Sequence, residues 1–209
     1  MLHILLPVVL ALAAPHRPVV AIQPYGHVDA AVVDRVRAGV AADYDVDVVV
    51  LPARELPAAA YYRPRARYRA DALLDDLDRE AAGKYTKIVG LTARDISTST
   101  EEHADWGVFG LGDLGGAPCV VSTYRLSRGG ASQALVDDRL VKAVGHELGH
   151  TFGLDHCSTP GCLMADAEGT IRTVDAGTGR LCAACLARMQ GIARVAVEAT
   201  KRAGGAGGN

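Results

Sequence analysis

The sequence lacks a strong charge of either sign. Its formal net charge is −2, and acidic and basic residues are interspersed along its 209 positions. Lysine is scarce among the 22 basic residues, and the only asparagine is Asn209, a skew that we interpret as genome composition. Proteins that bind nucleic acids carry a basic patch or stripe, so a nucleic-acid partner has no electrostatic support here.

The sequence also lacks an apolar run long enough to cross a membrane as a helix, which takes about twenty residues. The apolar stretch from Met1 to Ala14 is too short. It resembles the core of a signal peptide, although Pro7 interrupts it and neither Lys nor Arg precedes it. We expect residues 1–17 to be a signal peptide or an N-terminal extension. The protein is then secreted or periplasmic if the segment is cleaved, and otherwise cytoplasmic.

The length of the chain suits one well-buried domain, which we predict over residues 18–202. Strand-like and helical patterns alternate along it, which is typical of an α/β fold with a mostly parallel sheet. Predicted strands are 19–23, 46–51, 87–91 and 119–122, and predicted helices are 28–40, 70–80 and 136–151, the last capped by Asp137 or Asp138. Residues 61–69, rich in arginine and tyrosine, are interpreted as a solvated loop and helix start, and the glycine-rich tail 203–209 as disordered.

The most informative pattern is the run HELGHTFGLDHC. His146 and His150 are four residues apart, so on a helix they lie on the same face, close enough to share a metal ion. Gly153 lets the chain turn after the helix, so that His156 can return as a third ligand. Three imidazoles leave a fourth position on a zinc ion for water, and Glu147 is available to that water. The pattern predicts a zinc-dependent hydrolase.

Four cysteines and a methionine follow at definite spacings: Cys157, Cys162, Met164, Cys182 and Cys185. The order HExxHxxGxxHC, C-x-M and CxxC resembles the archaemetzincin (archaelysin) family of the metzincin clan. Residues 21–26 are similar to the first strand and turn of that family. The resemblance implies a zinc metalloprotease that hydrolyses peptide bonds by a zinc-bound water activated by Glu147, with endopeptidase and aminopeptidase action both open.

The resemblance also implies a fold. It is metzincin-like, with a mostly parallel twisted sheet, an antiparallel edge strand, an active-site helix packed on the sheet, and a C-terminal subdomain held by zinc. The edge strand falls near residues 106–112, where a surface loop is the alternative. Met164 becomes the Met-turn residue that packs beneath the three histidines. No tyrosine follows Tyr124, so oxyanion stabilisation must come from the metal or from elsewhere.

The spacing of Cys157, Cys162, Cys182 and Cys185 suits a structural zinc held by four thiolates. We therefore expect two zinc ions, one catalytic and one structural. Two disulfides are the alternative if the chain is exported, and they would leave Cys119 as a free thiol. Cys119 lies in a predicted buried strand, where a cysteine behaves as a small apolar residue.

Two other functions stay open at this point. One is a non-catalytic two-zinc protein that binds peptides, although a pure binder would have no need of a base at Glu147. The other is a redox or disulfide protein built on the cysteines. The expected partner is a peptide or protein substrate, without nucleic acid or stable membrane insertion. Since no heptad pattern or repeat is visible, a monomer is expected.

Overall fold

The computed structural model describes residues 17–167 and 169–191. The predicted N-terminal segment, apart from its last residue, and the predicted disordered tail lie outside these residues. Residues 192–202, at the end of the predicted domain, lie outside them as well. Within the part of the chain that is described, no helix is long and apolar enough to cross a membrane.

Strands and helices alternate along the described chain. The strands are β1 (Val19–Tyr25), β2 (Asp47–Val50), β3 (Tyr61–Tyr62), β4 (Arg67–Arg69), β5 (Lys87–Thr92), β6 (Ile96–Thr98), β7 (Trp106–Val108), β8 (Gly110–Gly112) and β9 (Pro118–Ser122). The helices are α1 (Ala30–Asp43), α2 (Ala70–Ala81), α3 (Thr123–Leu126), α4 (Gln133–Thr151) and α5 (Ile171–Ala176). Two short 3₁₀ turns lie at Ala58–Ala60 and Arg63–Arg65, and residues 183–191 are helical.

The main sheet has five strands in the order β2-β1-β5-β9-β8. The pairs β1–β2, β1–β5 and β5–β9 are parallel, whereas β8 is antiparallel to β9. Strands β1, β5 and β9 are buried on both faces, which explains their continuous apolar runs in the sequence. The predicted fold class is confirmed, including an antiparallel edge strand within residues 106–112.

Helices cover both faces of the main sheet, because alternate side chains of each strand point to opposite sides. Val20 and Ile22 of β1 pack in one core cluster with α1 and α4. Ala21 and Tyr25 of the same strand pack in a second cluster with α2. The main sheet is therefore the middle of three layers, with α4 held against one face.

Helix α4 begins earlier than the sequence predicted. Ser132 is its N-cap, and the hydroxyl of Ser132 accepts a hydrogen bond from a backbone N–H in the first turn. Asp137 and Asp138 are not caps but lie inside the helix, where they pair with Arg35 at 3.1 Å and with Lys142 at 2.8 Å. The prediction was wrong because residues 133–135 are exposed and precede Val136, the first residue of the apolar stripe from which the helix was recognised.

Residues 61–69 were predicted as a solvated loop and helix start; most of residues 61–66 are exposed and α2 begins at Ala70, but the segment also forms two short strands that were not predicted. They supply β3 and β4 to a second sheet with the order β3-β4-β6-β7. Arg67 is 14% exposed and lies 3.3 Å from Asp95 and 3.5 Å from Asp105. Arg69 also pairs with Asp105, at 3.2 Å. These carboxylates come from distant parts of the chain, so the local sequence pattern did not indicate that the arginines are paired.

Candidate active site

Helix α4 contributes to both the apolar core and a polar cleft. Leu140, Val144 and Leu148 pack into the apolar cluster beneath the main sheet. Its histidines and Glu147 instead line a cleft of about 680 Å³. The other walls of the cleft are β7, β8 and the segment that follows Met164.

The three predicted histidines come together in this cleft. The Nε2 atoms of His146 and His150 are 3.1 Å apart. One ring nitrogen from each of His146, His150 and His156 lies within 4.8 Å of the other two. Nitrogens about 2.05 Å from a zinc ion in a tetrahedral arrangement lie about 3.3 Å apart. The spacing therefore fits a zinc site, and this cluster could hold a metal ion.

The chain reaches the third histidine through a turn at Gly153. Its φ of +85° lies in the left-handed region that favours glycine. The N–H of Gly153 donates to the carbonyl of His150 at 2.8 Å, and the N–H of Leu154 donates to the carbonyl of Gly149 at 3.1 Å. These bonds end α4 and direct the next residues back toward the cleft.

Backbone carbonyls fix the orientation of two of the rings. Nδ1 of His146 lies 2.8 Å from the carbonyl oxygen of Leu163, and Nδ1 of His150 lies 2.7 Å from that of Leu154. A carbonyl can only accept, so each Nδ1 donates a proton and each Nε2 presents a lone pair. Two lone pairs 3.1 Å apart repel each other unless a cation lies between them. The donor set therefore fits a bound cation.

Burial also keeps these two rings neutral. It lowers the pKa of His146 to about 4, and it lowers the pKa of His150 below its ordinary value. Neutral imidazole is the form that binds a metal ion. The local environment of α4 therefore favours the ligand form of both side chains near neutral pH.

Glu147 lies against the edge strand β8. A Cβ atom at Gly110 would be 2.6 Å from Cγ of Glu147, and one at Gly112 would be 2.5 Å from the Glu147 carbonyl oxygen. Glycine permits this close approach of strand and helix. The sequence showed a glycine-rich stretch here, but its pattern did not indicate which neighbour each glycine meets.

The environment of Glu147 controls its proton affinity. Burial raises the pKa of Glu147 to about 8, and a hydrogen bond from the backbone of Gly112 opposes the rise. A divalent cation nearby would lower this pKa. The carboxyl group is thus placed where it can both accept and return a proton near neutral pH.

Met164 is fully buried and packs in a small cluster with Leu154 and Cys162. A Cβ atom at Gly149 would be 2.4 Å from Sδ of Met164, so the thioether packs directly against α4 between the two helical histidines. The carbonyl of Met164 accepts a hydrogen bond of 2.8 Å from the N–H of Cys157. Met164 therefore contacts both the helix and the segment that carries His156.

The four C-terminal cysteines form a second cluster. The Sγ atoms of Cys157 and Cys182 are 3.8 Å apart, as are those of Cys162 and Cys185. All four Sγ atoms lie within 4.8 Å of one another. Thiolates about 2.3 Å from a zinc ion in a tetrahedral arrangement lie about 3.8 Å apart. The cysteines are free, as is the buried Cys119 in β9, and their spacing fits a zinc ion.

Sequence reasoning missed two side chains that support the site. Asp166 places Oδ2 3.3 Å from Nδ1 of His156. Lys87 donates from Nζ to the carbonyl of Thr151, at 2.5 Å, and so holds the last turn of α4. Neither belongs to the histidine pattern, and the closeness of Asp166 to Met164 in the sequence was the only available signal.

A zinc metallopeptidase is the class of protein that this fold and this site define, because one cleft combines a ligand set for zinc, a carboxylate and the outer strand of the main sheet. The sequence model of Peptidase family M54 matches residues 18–191. The chain belongs to Peptidase family M54.

Its relatives include archaemetzincins. The archaemetzincin of Halobacterium salinarum is 39% identical over 171 residues, which cover 78% of this chain and 95% of the relative. The crystal structure of archaemetzincin from Methanopyrus kandleri superposes with a TM-score of 0.73 at 32% identity, covering 85% of this chain and 96% of that one. The archaemetzincin of Archaeoglobus fulgidus, solved in complex with malonate, gives a TM-score of 0.68 at 29% identity, covering 81% and 98%. The predicted resemblance is confirmed.

Proposed function

We propose that this zinc-dependent peptidase holds its catalytic zinc on His146, His150 and His156 and uses Glu147 as the general base. The main support is that the Nε2 atoms of the neutral rings of His146 and His150 lie 3.1 Å apart. Glu147 lies between these two histidines in the sequence, on the same helix. Zinc, when bound, lowers the pKa of a water to about 7 and polarises the scissile carbonyl.

Glu147 is proposed to move the proton during hydrolysis. The N–H of Gly112 holds its carboxylate beside β8, in the same cleft as the histidines. As the water oxygen bonds to the carbonyl carbon, Glu147 takes a proton from the water. As the carbon–nitrogen bond breaks, Glu147 gives that proton to the leaving amine, and so returns to its starting form.

Strand β8 is proposed to bind the substrate backbone. It is the outer strand of the main sheet, so its free edge can pair with an extended peptide. Glu147 packs against this strand, which places the general base next to any peptide that is bound there. Backbone pairing gives affinity with limited dependence on substrate side chains.

A second, structural zinc is proposed on Cys157, Cys162, Cys182 and Cys185. The core around these residues is small, with Leu154 and Met164 as the large buried side chains. A metal ion would supply the order that this core cannot supply by itself. Because Cys157 adjoins His156 in the chain, fixing the cysteine also restricts the third histidine.

Two measurements on the purified full chain test the proposed function together. Zinc per chain is determined by atomic emission, and turnover is followed with a quenched fluorescent peptide library and with amino-acid amides. Two zinc ions with cleavage of the peptides support an endopeptidase, and cleavage of the amides alone supports an aminopeptidase. Two zinc ions without cleavage indicate the non-catalytic peptide binder. At most one zinc ion, with the thiols lost on oxidation, indicates the redox alternative.

A further inference from the structure

His156 differs from the other two histidines in what holds its ring. Nδ1 of His146 and Nδ1 of His150 each face a backbone carbonyl, whose position is set by the fold. Nδ1 of His156 instead faces a side chain, the carboxylate of Asp166, at 3.3 Å. The orientation of this one ring therefore depends on a residue that a mutation can remove.

The ring of His156 contacts the rings of His146 and His150, at centroid distances of 5.4 and 4.9 Å, but the side chain stays half exposed. Its side chain is 49% exposed, and that of Asp166 is 53% exposed. His156 also lies beyond the end of α4, so helical geometry does not restrict its side chain as it restricts those of His146 and His150. A half-exposed side chain keeps much of its rotamer freedom unless a partner restrains it.

Backbone hydrogen bonds place Asp166 next to His156. Asp166 follows Met164 by two residues, and the carbonyl of Met164 accepts the N–H of Cys157, the residue after His156. The N–H of Ala165 donates to the carbonyl of Cys162 at 3.0 Å, which ties the same segment to the cysteine cluster. The two segments that carry Asp166 and His156 are thus fixed side by side.

We propose that Asp166 is a positioning residue for the catalytic zinc: it accepts the Nδ1–H of His156 and so aims Nε2 of that ring into the cleft. This proposal rests on the proposed function of the three histidines. The separation of 3.3 Å is about 0.5 Å longer than a charge-assisted hydrogen bond of about 2.8 Å. A carboxylate behind a ligating histidine fixes its tautomer and raises its basicity, and losing such a partner typically costs about 10- to 100-fold in metal affinity.

The matched control is Asp155. It adjoins His156 in the chain, lines the same cleft, and is 54% exposed, but it pairs with Arg188 at 2.7 Å rather than with a histidine. Asp155→Asn therefore removes the same charge at nearly the same place without touching the proposed hydrogen bond. A general electrostatic effect of a nearby carboxylate would appear in both variants, whereas a positioning effect appears only at Asp166.

The test measures zinc affinity on the full chain by competition with a chromophoric chelator. His156→Ala identifies which step of the titration belongs to the histidine cluster. We expect Asp166→Ala and Asp166→Asn to weaken that step by about 10- to 100-fold, Asp155→Asn to leave it unchanged, and Asp166→Glu to restore part of the loss. The absorption spectrum of the cobalt-substituted protein should change in the Asp166 variants and not in the Asp155 variant.

Wild-type zinc affinity and cobalt spectrum in a folded Asp166→Asn variant would overturn the proposal. So would an altered KM for peptides with no change in zinc affinity, which would place Asp166 in substrate binding instead. If His156→Ala leaves the zinc titration unchanged, the three histidines do not hold the zinc ion and the proposed function itself fails. That outcome differs from failure of the Asp166 proposal alone, in which His156→Ala still changes the titration. Thermal unfolding of each variant separates a loss of folding from a loss of zinc affinity. If Asp166→Ala does not fold, the isosteric Asp166→Asn variant is used for the test instead.

Discussion

Gly110→Ala should reduce peptidase activity by displacing Glu147. The added Cβ would lie 2.6 Å from Cγ and 2.8 Å from Oε1 of Glu147. Carbon atoms in contact need about 3.5 Å, so either the side chain of Glu147 or strand β8 must move by about 0.9 Å. If the side chain moves, the carboxylate changes its position relative to His146, the residue before it on α4. If the strand moves, the carboxylate changes its position relative to β8, where the substrate backbone is proposed to bind.

The size of the effect follows from this displacement. A misplacement of about 1 Å can cost about 100-fold in rate, so kcat/KM should fall by about 100-fold, which corresponds to about 2.7 kcal/mol. Overpacking costs about 1–3 kcal/mol of folding stability and lowers the Tm by several degrees. Zinc content should stay the same, because the substitution contacts none of the proposed ligands.

The assay combines kcat/KM on a quenched peptide, zinc per chain and thermal unfolding. Gly191→Ala is the control, because a Cβ atom there meets nothing within 4 Å. It should match the wild type in kcat/KM and zinc content, and its Tm should not fall, because alanine favours a helix more than glycine does. The reasoning is refuted if Gly110→Ala is folded, holds its full zinc content and cleaves the peptide at the wild-type rate.

Two further predictions concern the cysteine cluster and the β7 wall of the cleft. Cys182→Ser should lower both the Tm and the occupancy of the catalytic zinc, since Cys157 of the same cluster adjoins His156; full retention of both would show that the two sites are independent. Trp106, the only tryptophan, lines the cleft and is 43% exposed. Binding of an uncleaved peptide to the Glu147→Gln variant should change its fluorescence, and saturable binding without any change would argue against substrate at β7.

Much of the fold could be predicted from the sequence because many of its strands and helices have local sequence patterns. The buried strands β1, β5 and β9 show as β-branched or apolar runs, and α1 and α2 show as apolar residues at helical spacing. The meeting of His146 with His150 follows from helix geometry alone. The return of His156 follows from the turn that Gly153 allows, so the histidine cluster could also be predicted.

The rest depends on contacts between distant segments. The second sheet joins segments that are distant in the sequence, and no local pattern indicates that Arg67 lies beside Asp95 and Asp105 there. The role of Gly110 depends on how closely β8 approaches α4. The position of Asp166 depends on how the segment after Met164 folds against His156. Each of these features is a tertiary contact, and the helical and strand periodicities of a sequence do not predict tertiary contacts.

The central claim is that Glu147 is the general base beside a zinc ion held by three histidines. The most direct test is to measure zinc per chain and kcat for Glu147→Gln beside the wild type. Glutamine keeps the shape of the side chain but cannot accept the proton, so the variant should hold as much zinc as the wild type and lose about 10²- to 10⁴-fold in kcat. Unchanged peptidase activity in the zinc-loaded variant would contradict the claim.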